Sequence, residues 1–140
     1  MYLDNIQIEN QTTHSLEGLM SNGLEKVRVS LGLNKSVFFL FVSDEKMLRL
    51  NNQVLEHDYY TDIITFDYED DEDLEANEIV ISLDRVIENA KNNNTTFINE
   101  LHRVCIHGML HIFGLKDETE EQKIKMRSEE GRYINLHCST

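Results

Sequence analysis

The segment HGMLHIFGLKD, residues 107–117, holds the most informative pattern in this 140-residue chain. His107 and His111 are four residues apart, so on a helix they share one face about one turn from each other. Gly114 can end that helix in a left-handed conformation, which lets Asp117 return to the same point. Two imidazoles and one carboxylate are a common ligand set for a catalytic divalent metal, typically zinc, with a fourth position open to water. The segment therefore predicts a metal-dependent hydrolase.

The histidine pair alone is weak evidence, because such pairs arise often by chance beside an apolar helical stripe. Gly114 and Asp117 strengthen the prediction, since they add the turn and the third ligand in register, as in metzincin-type zinc proteases. Zinc proteases carry a glutamate directly after the first histidine as the general base. Here that residue is Gly108, which has no acid–base group. The pattern thus keeps the metal geometry and lacks the protease base.

A length of 140 residues indicates a single domain, residues 1–140, which would be the metallo-hydrolase domain. The sequence has neither a run long enough to span a bilayer nor a basic-then-apolar secretory start, so no membrane partner is expected. Its two cysteines, Cys105 and Cys138, do not make a disulfide framework, which favours a cytoplasmic location. The formal net charge of -13 counts against broad, non-specific binding of nucleic acid but leaves room for a local basic cleft.

Hydrophobic periodicity predicts an α+β fold, in which helices pack on a four-stranded mixed β-sheet and a glycine turn follows the metal-binding helix. The predicted strands contain Ile6 and Ile8, Val37–Val42, Thr61–Phe66 and Glu78–Ser82. The predicted helices are Leu16–Leu31, one capped by Ser43, one containing Val86 and Ala90, a long one opened by Thr95 or Thr96, and Glu118 to about Gly131.

HGMLHIFGLKD resembles the signature H-G-x-L-H-L-x-G-Y-D-H of the YbeY family, bacterial endoribonucleases that mature ribosomal RNA. The match comprises His107, Gly108, Leu110, His111 and Gly114. The flanking segments FVSDEKMLRLN (41–51), TDIITF (61–66) and NEIVIS (77–82) also resemble family strands and helices. The resemblance covers the chain from about Val37 to Asp117.

The chain departs from that family at two positions. Asp117 stands where the family has its third histidine, and a carboxylate oxygen binds zinc at a similar distance. The added negative charge should weaken the Lewis acidity of the metal and shift the preference toward harder ions such as manganese. Leu55 stands where the family usually has an arginine thought to hold the RNA phosphate; Arg49 and Arg103 are candidates to replace it.

The resemblance implies a metal-dependent single-strand endoribonuclease for rRNA 3′-end maturation and ribosome quality control, with ribosomal RNA and the small subunit or its factors as partners. Its metal ligands would be His107, His111 and Asp117, holding one divalent ion, expected to be zinc. His107, Asp62 and Glu78 are the candidate catalytic residues. Asp62 or Glu78 could orient a ligand histidine through its free ring N–H; otherwise Asp62 caps a turn and Glu78 sits on a solvated strand edge.

Three further expectations can be compared with the structure. Glu100 is expected to be an exposed acid in the first turn of its helix, favoured by the helix dipole. A non-catalytic ribosome-associated factor with a structural metal is the main alternative function, and a fourth protein ligand would favour it. A metallopeptidase is the other alternative, weakened by Gly108.

Overall fold

The computed structural model describes residues 5–55 and 61–139. In these ranges the chain forms four strands and five helices, which confirms the predicted α+β class. In chain order they are β1 (Ile6–Asn10), α1 (Ser21–Leu31), β2 (Ser36–Val42), α2 (Asp44–Leu55), β3 (Ile63–Phe66), β4 (Ala76–Ser82), α3 (Leu83–Asn92), α4 (Phe97–Phe113) and α5 (Glu120–His137).

The sheet is mixed, with the strand order β1-β2-β4-β3. β1, β2 and β4 run parallel, and β3 pairs antiparallel with β4 at one edge. One face of β2 is buried and the other is partly buried, which explains why β2 reads as a continuous apolar run rather than as an alternating one. Ile79 and Ile81 of β4 point into the main core, whereas Val80 packs with Met47 of α2 on the opposite face.

α4 is the central helix of the main core. Its apolar side chains pack on the sheet and against α1, α3 and α5, and Leu101, Cys105, Ile106 and Met109 are completely buried. Residues at the border of this buried surface, such as His107 and His111, remain partly accessible. The packing of α4 therefore fixes the direction in which the two histidines point.

Gly108 marks the closest approach between α4 and the sheet. A Cβ atom at this position would lie 2.9 Å from Cδ1 of both Ile63 and Ile79. A glutamate here would point into the β3–β4 surface and away from the side of α4 that carries His107. The missing protease base is thus a requirement of the packing as well as a feature of the sequence.

Two predicted helix boundaries are wrong. α1 begins at Ser21 instead of Leu16, because the chain turns at Gly18, where φ is +97°, a value that an α-helix does not allow. α5 continues to His137, past the expected end at Gly131, because Tyr133 and Ile134 pack into the main core. Within the described ranges, no helix is long and apolar enough to cross a membrane.

Candidate metal centre

The last turn of α4 and the segment after it bring the three predicted ligands together. Thr96 caps the start of α4, and Gly114 ends it in the left-handed conformation with φ +115°, as the sequence predicts. The chain then reverses so that Asp117 Oδ2 lies 3.4 Å from His107 Nε2 and 3.5 Å from His111 Nε2. The two Nε2 atoms are 2.9 Å apart.

Each histidine ring is held by a partner on its other nitrogen. His107 Nδ1 lies 2.6 Å from Glu130 Oε2, and His111 Nδ1 lies 3.1 Å from the Leu115 carbonyl oxygen. Both partners are acceptors, so both Nδ1 atoms carry the proton and donate it. The Nε2 atoms that face each other are then left with lone pairs.

The chemistry of this donor set fits a divalent cation. Two imidazole lone pairs and a carboxylate oxygen converge, and without a proton or a cation between them these three atoms repel one another. Their separations of 2.9, 3.4 and 3.5 Å define a triangle whose centre is about 1.9 Å from each atom, close to the zinc–ligand distance of about 2.0–2.2 Å. His107, His111 and Asp117 could therefore hold one such ion together.

Glu130 of α5 connects the metal centre to a second buried charge. Its side chain is nearly inaccessible, and its Oε1 atom accepts a hydrogen bond of 3.2 Å from Arg103 Nη1. Burial disfavours charge on His107, but the hydrogen bond to Glu130 and the nearby Asp117 and Asp62 carboxylates outweigh it and raise the His107 pKa. The site is therefore electronegative and attracts a cation.

A cavity of about 360 Å³ opens beside the ligands and is bounded by α3, α4 and α5. His107 and Asp117 form part of its wall together with Asp62, Asn89, Asn93, Glu100, Arg103, Val104, Lys123, Met126, Arg127 and Glu130. Among the described residues, the only acidic, histidine or cysteine side chains found close enough to share one ion are His107, His111 and Asp117. The side of the centre that faces the cavity is thus free of a fourth protein ligand in this part of the chain.

The two other candidate catalytic residues lie in different surroundings. Asp62 lines the cavity and accepts a hydrogen bond of 3.3 Å from Asn89 Nδ2, and burial raises its pKa despite the attraction of His107. Glu78 is exposed on β4 and does not line the cavity. The ring N–H groups that Asp62 or Glu78 was expected to bind are instead taken by Glu130 and by the Leu115 carbonyl.

Of the two arginines considered as replacements for the family arginine, Arg103 lines the cavity and Arg49 does not. Arg49 is exposed on α2 and pairs with Glu45. Leu55 is the last residue of α2, and its side chain lies outside the described part of the structure.

The expectation for Glu100 is wrong. Glu100 is only 4% exposed, because α3 and α5 cover the first turns of α4 on the side that carries it. Glu130, which the sequence pattern does not predict as a site residue, lies 23 residues after His107 on a different helix. The spacing of Glu130 from Met126 places both on one face of α5, which suggests that Glu130 is buried. Its contact with His107 can be seen only in the tertiary structure.

Comparison with known proteins supports the resemblance. Residues 2–137 match the family model described as endoribonuclease YbeY. The chain is 46% identical over 98 residues to endoribonuclease YbeY of Cytophaga hutchinsonii, covering 70% of this chain and 68% of that protein. It is 37% identical over 135 residues to endoribonuclease YbeY of Parabacteroides distasonis, covering 96% of this chain and 92% of that protein.

A solved structure shows the same fold. The solution structure of TM1509 from Thermotoga maritima superposes with a TM-score of 0.64 and 29% sequence identity, covering 94% of this chain and 90% of that one. The similarity therefore extends over the sheet and the helices as well as the metal-binding segment.

Proposed function

Because this chain belongs to the YbeY family of endoribonucleases, we propose that it is a metal-dependent nuclease that cleaves single-stranded RNA. The proposed role is the maturation of the 3′ end of small-subunit ribosomal RNA and ribosome quality control. The observation that supports this role most strongly is a three-ligand centre whose accessible side faces a cavity with basic residues in its wall.

His107, His111 and Asp117 would hold the ion, for which we propose zinc because two imidazoles and a carboxylate are a typical catalytic zinc set. A divalent ion bound there supplies a Lewis acid that activates water or polarises a phosphoryl oxygen. Glu130 keeps His107 in the tautomer whose Nε2 lone pair faces the site. The Leu115 carbonyl does the same for His111.

Asp62 is the proposed proton acceptor of the cavity. Burial raises the pKa of its carboxyl group, which brings the group closer to the pH range in which it both takes up and releases a proton. Its Oδ2 atom is oriented by the Asn89 amide. Glu78 does not line the cavity, so its candidacy as a catalytic residue rests on the sequence alone.

Arg103, Lys123 and Arg127 are the proposed phosphate contacts. Lys123 and Arg127 lie four residues apart on the face of α5 that borders the cavity, and Arg103 faces them from α4. These three basic side chains offer phosphate contacts on a wall that also carries four acidic residues, in a chain whose formal net charge is -13. Arg103 is the proposed replacement for the arginine that the family usually has where this chain has Leu55.

The open coordination side favours an enzyme over the non-catalytic factor with a structural metal. Structural zinc sites normally take all four ligands from protein, and the described residues provide three. A metallopeptidase is disfavoured because Gly108 has no acid–base group, and a Cβ atom at that position would lie 2.9 Å from Cδ1 of Ile63 and Ile79. The proposed setting is a cytoplasmic single domain spanning residues 1–140 that acts on the ribosomal small subunit or with its factors.

Metal analysis and ribonuclease assays test this function together. We expect the purified protein to contain about one divalent ion per chain, and His111→Ala and Asp117→Asn to lower both the metal content and the cleavage of single-stranded rRNA fragments. His14→Ala is the matched control, because His14 pairs with Asp84 outside the cavity and should leave both quantities unchanged. Full metal content in both site variants would contradict the ligand assignment, and the absence of metal-dependent cleavage would contradict the nuclease.

A further inference from the structure

Glu100 is a buried acid that the proposed chemistry does not use. It lies in the first turn of α4 and is only 4% exposed. Its Oε1 atom is fully buried and has no hydrogen-bond partner among the described residues. Proteins rarely retain a buried carboxylate unless opposite charges nearby compensate for its burial. Because a ligand in the cavity does not reach this oxygen, the role of Glu100 lies in the cations beside it.

Two arginines of the cavity wall act on the Glu100 carboxylate. Arg103, one turn further along α4, has its Nε atom 4.0 Å from Glu100 Oε1. Burial raises the Glu100 pKa, whereas Arg103 and Arg127 of α5 lower it. Two guanidinium groups on one wall repel each other, and a carboxylate that attracts both offsets this repulsion. Glu100 therefore favours the presence of both arginines at the cavity.

Arg103 interacts with buried carboxylates at two different nitrogens. Its Nη1 atom donates a hydrogen bond of 3.2 Å to Glu130 Oε1, while its Nε atom faces Glu100. Both acids are nearly inaccessible, so solvent screens these attractions poorly. Within the described ranges, Glu130 is the one hydrogen-bond partner of this guanidinium, whose other N–H groups remain available to a phosphate.

We propose that Glu100 is a positioning residue, which together with Glu130 holds the Arg103 guanidinium in the orientation that contacts an RNA phosphate. This inference rests on the proposed RNA-cleaving function, in which Arg103 is a phosphate contact, and adds the residue that orients this contact. Glu100 itself does not touch the RNA. A guanidinium that is already held in place loses less conformational freedom when the phosphate binds, and it stays aligned while charge develops during cleavage.

Arginine side-chain NMR of the full-length protein tests the positioning without a measurement of activity. We expect the Arg103 Nε–H group of the wild type, assigned by its loss in Arg103→Lys, to be rigid and to exchange slowly with water. Glu100→Gln keeps the size of the side chain and removes its charge, so this exchange should become about tenfold faster. An Arg103 signal that is equally rigid and equally slow to exchange in Glu100→Gln would overturn the proposal.

Two further variants exclude other causes of such a change. Glu45→Gln is the matched control, because Glu45 pairs with Arg49 on the exposed side of α2 and should leave the Arg103 signal unchanged. A similar change in Glu45→Gln would contradict a specific role of Glu100. Glu100→Asp keeps the charge but withdraws it by one methylene group, so it should loosen Arg103 in the same direction even if Glu100→Gln does not fold. An unchanged Arg103 signal in Glu100→Asp contradicts the positioning.

A double-mutant cycle with Arg103→Lys connects the positioning to cleavage. If Glu100 acts through Arg103, Glu100→Gln should lower kcat on a single-stranded rRNA fragment about tenfold in the wild type and less than about twofold in Arg103→Lys. Equal losses in both backgrounds would show that Glu100 acts by another route, and the proposal fails. A wild type that does not cleave RNA contradicts the proposed nuclease, whereas the Arg103 signal still decides whether Glu100 positions Arg103.

Discussion

At the scale of single residues, Glu130 is the residue of α5 that orients the candidate ligand His107. It fixes the tautomer and the direction of His107 through a hydrogen bond of 2.6 Å and is itself held by Arg103. Glu130→Gln removes its charge while keeping its size. We expect zinc affinity to fall about 10–100-fold, as for other partners of metal-bound histidines.

Competition with a chromophoric chelator measures this effect. Glu129→Gln is the matched control, because Glu129 pairs with Arg132 on the surface of the same helix. An unchanged zinc affinity in Glu130→Gln, or an equal loss in both variants, would contradict the role assigned to Glu130.

His102 gives the protein a pH-dependent stability that is separate from the metal centre. Its Nδ1–H donates to the Ile98 carbonyl and its Nε2 accepts from the Met20 N–H at the start of α1, so the folded protein needs the neutral ring. Burial lowers the His102 pKa below its usual value. The contribution of His102 is thus fully present above the unfolded pKa of about 6.5 and is lost as the pH falls below it.

Urea unfolding of the wild type and of His102→Gln at pH 8 and pH 5 measures this contribution. We expect the wild type to be more stable at pH 8 by about 1–3 kcal/mol, the cost of losing buried hydrogen bonds. This advantage should shrink at pH 5. A stability difference that stays constant or grows at low pH would show that His102 is protonated in the folded protein.

The spacing of residues 107–117 was sufficient to predict that His107, His111 and Asp117 come together, because a helix and one glycine turn relate all three side chains locally. Glu130 and Glu100 were not predictable in the same way. Their roles depend on where α5 and α3 dock against α4, which is a long-range property of the fold.

At the scale of elements, the contact between α4 and the sheet determines where the metal-binding residues lie. Gly108→Ala places a methyl group 2.9 Å from Cδ1 of Ile63 and Ile79. Overpacking of this kind costs about 1–3 kcal/mol. The helix preference for alanine offsets about 0.8–1.0 kcal/mol of it, so we expect the free energy of unfolding of Gly108→Ala to lie about 1–3 kcal/mol below that of an alanine variant at an uncrowded helical glycine.

Gly131→Ala is the matched control on α5, where a Cβ atom would contact nothing within 4 Å. Alanine is favoured over glycine inside a helix by about 0.8–1.0 kcal/mol, so this variant should be more stable than the wild type. Chemical denaturation of both variants checks the pair. A destabilised Gly131→Ala, or a Gly108→Ala variant that is as stable as Gly131→Ala, would contradict the packing described for the two helices.

Most elements were predictable because each has a local signal: the apolar run of β2, the Thr96 cap of α4 and the Gly114 terminus. The boundaries of α1 and α5 were not, since they depend on tertiary contacts. His102 of α4 binds the backbone at the start of α1, and core packing of Tyr133 extends α5.

At the scale of the whole molecule, a net charge of -13 coexists with three basic side chains on the cavity wall. Local phosphate contacts should therefore dominate the salt dependence of RNA binding. Each contact with single-stranded nucleic acid contributes about 0.7 to the slope of log K against log salt concentration. We expect Lys123→Ala and Arg127→Ala each to reduce the slope by about this amount.

Fluorescence anisotropy with a labelled single-stranded rRNA fragment at several salt concentrations measures these slopes. Lys26→Ala, on an exposed position of α1 that does not line the cavity, is the control and should leave the slope unchanged. An equal change in all three variants would indicate that the overall charge, and not the cavity wall, governs binding.

The central claim is that His107, His111 and Asp117 hold one divalent ion whose remaining side is open to the cavity. Anomalous diffraction at the zinc edge, from crystals of the zinc-loaded protein, tests it most directly. The structure predicts one peak about 2.0–2.2 Å from the two Nε2 atoms and an Asp117 oxygen, with no fourth protein ligand. A peak elsewhere, or an ion enclosed by four protein ligands, would contradict the claim.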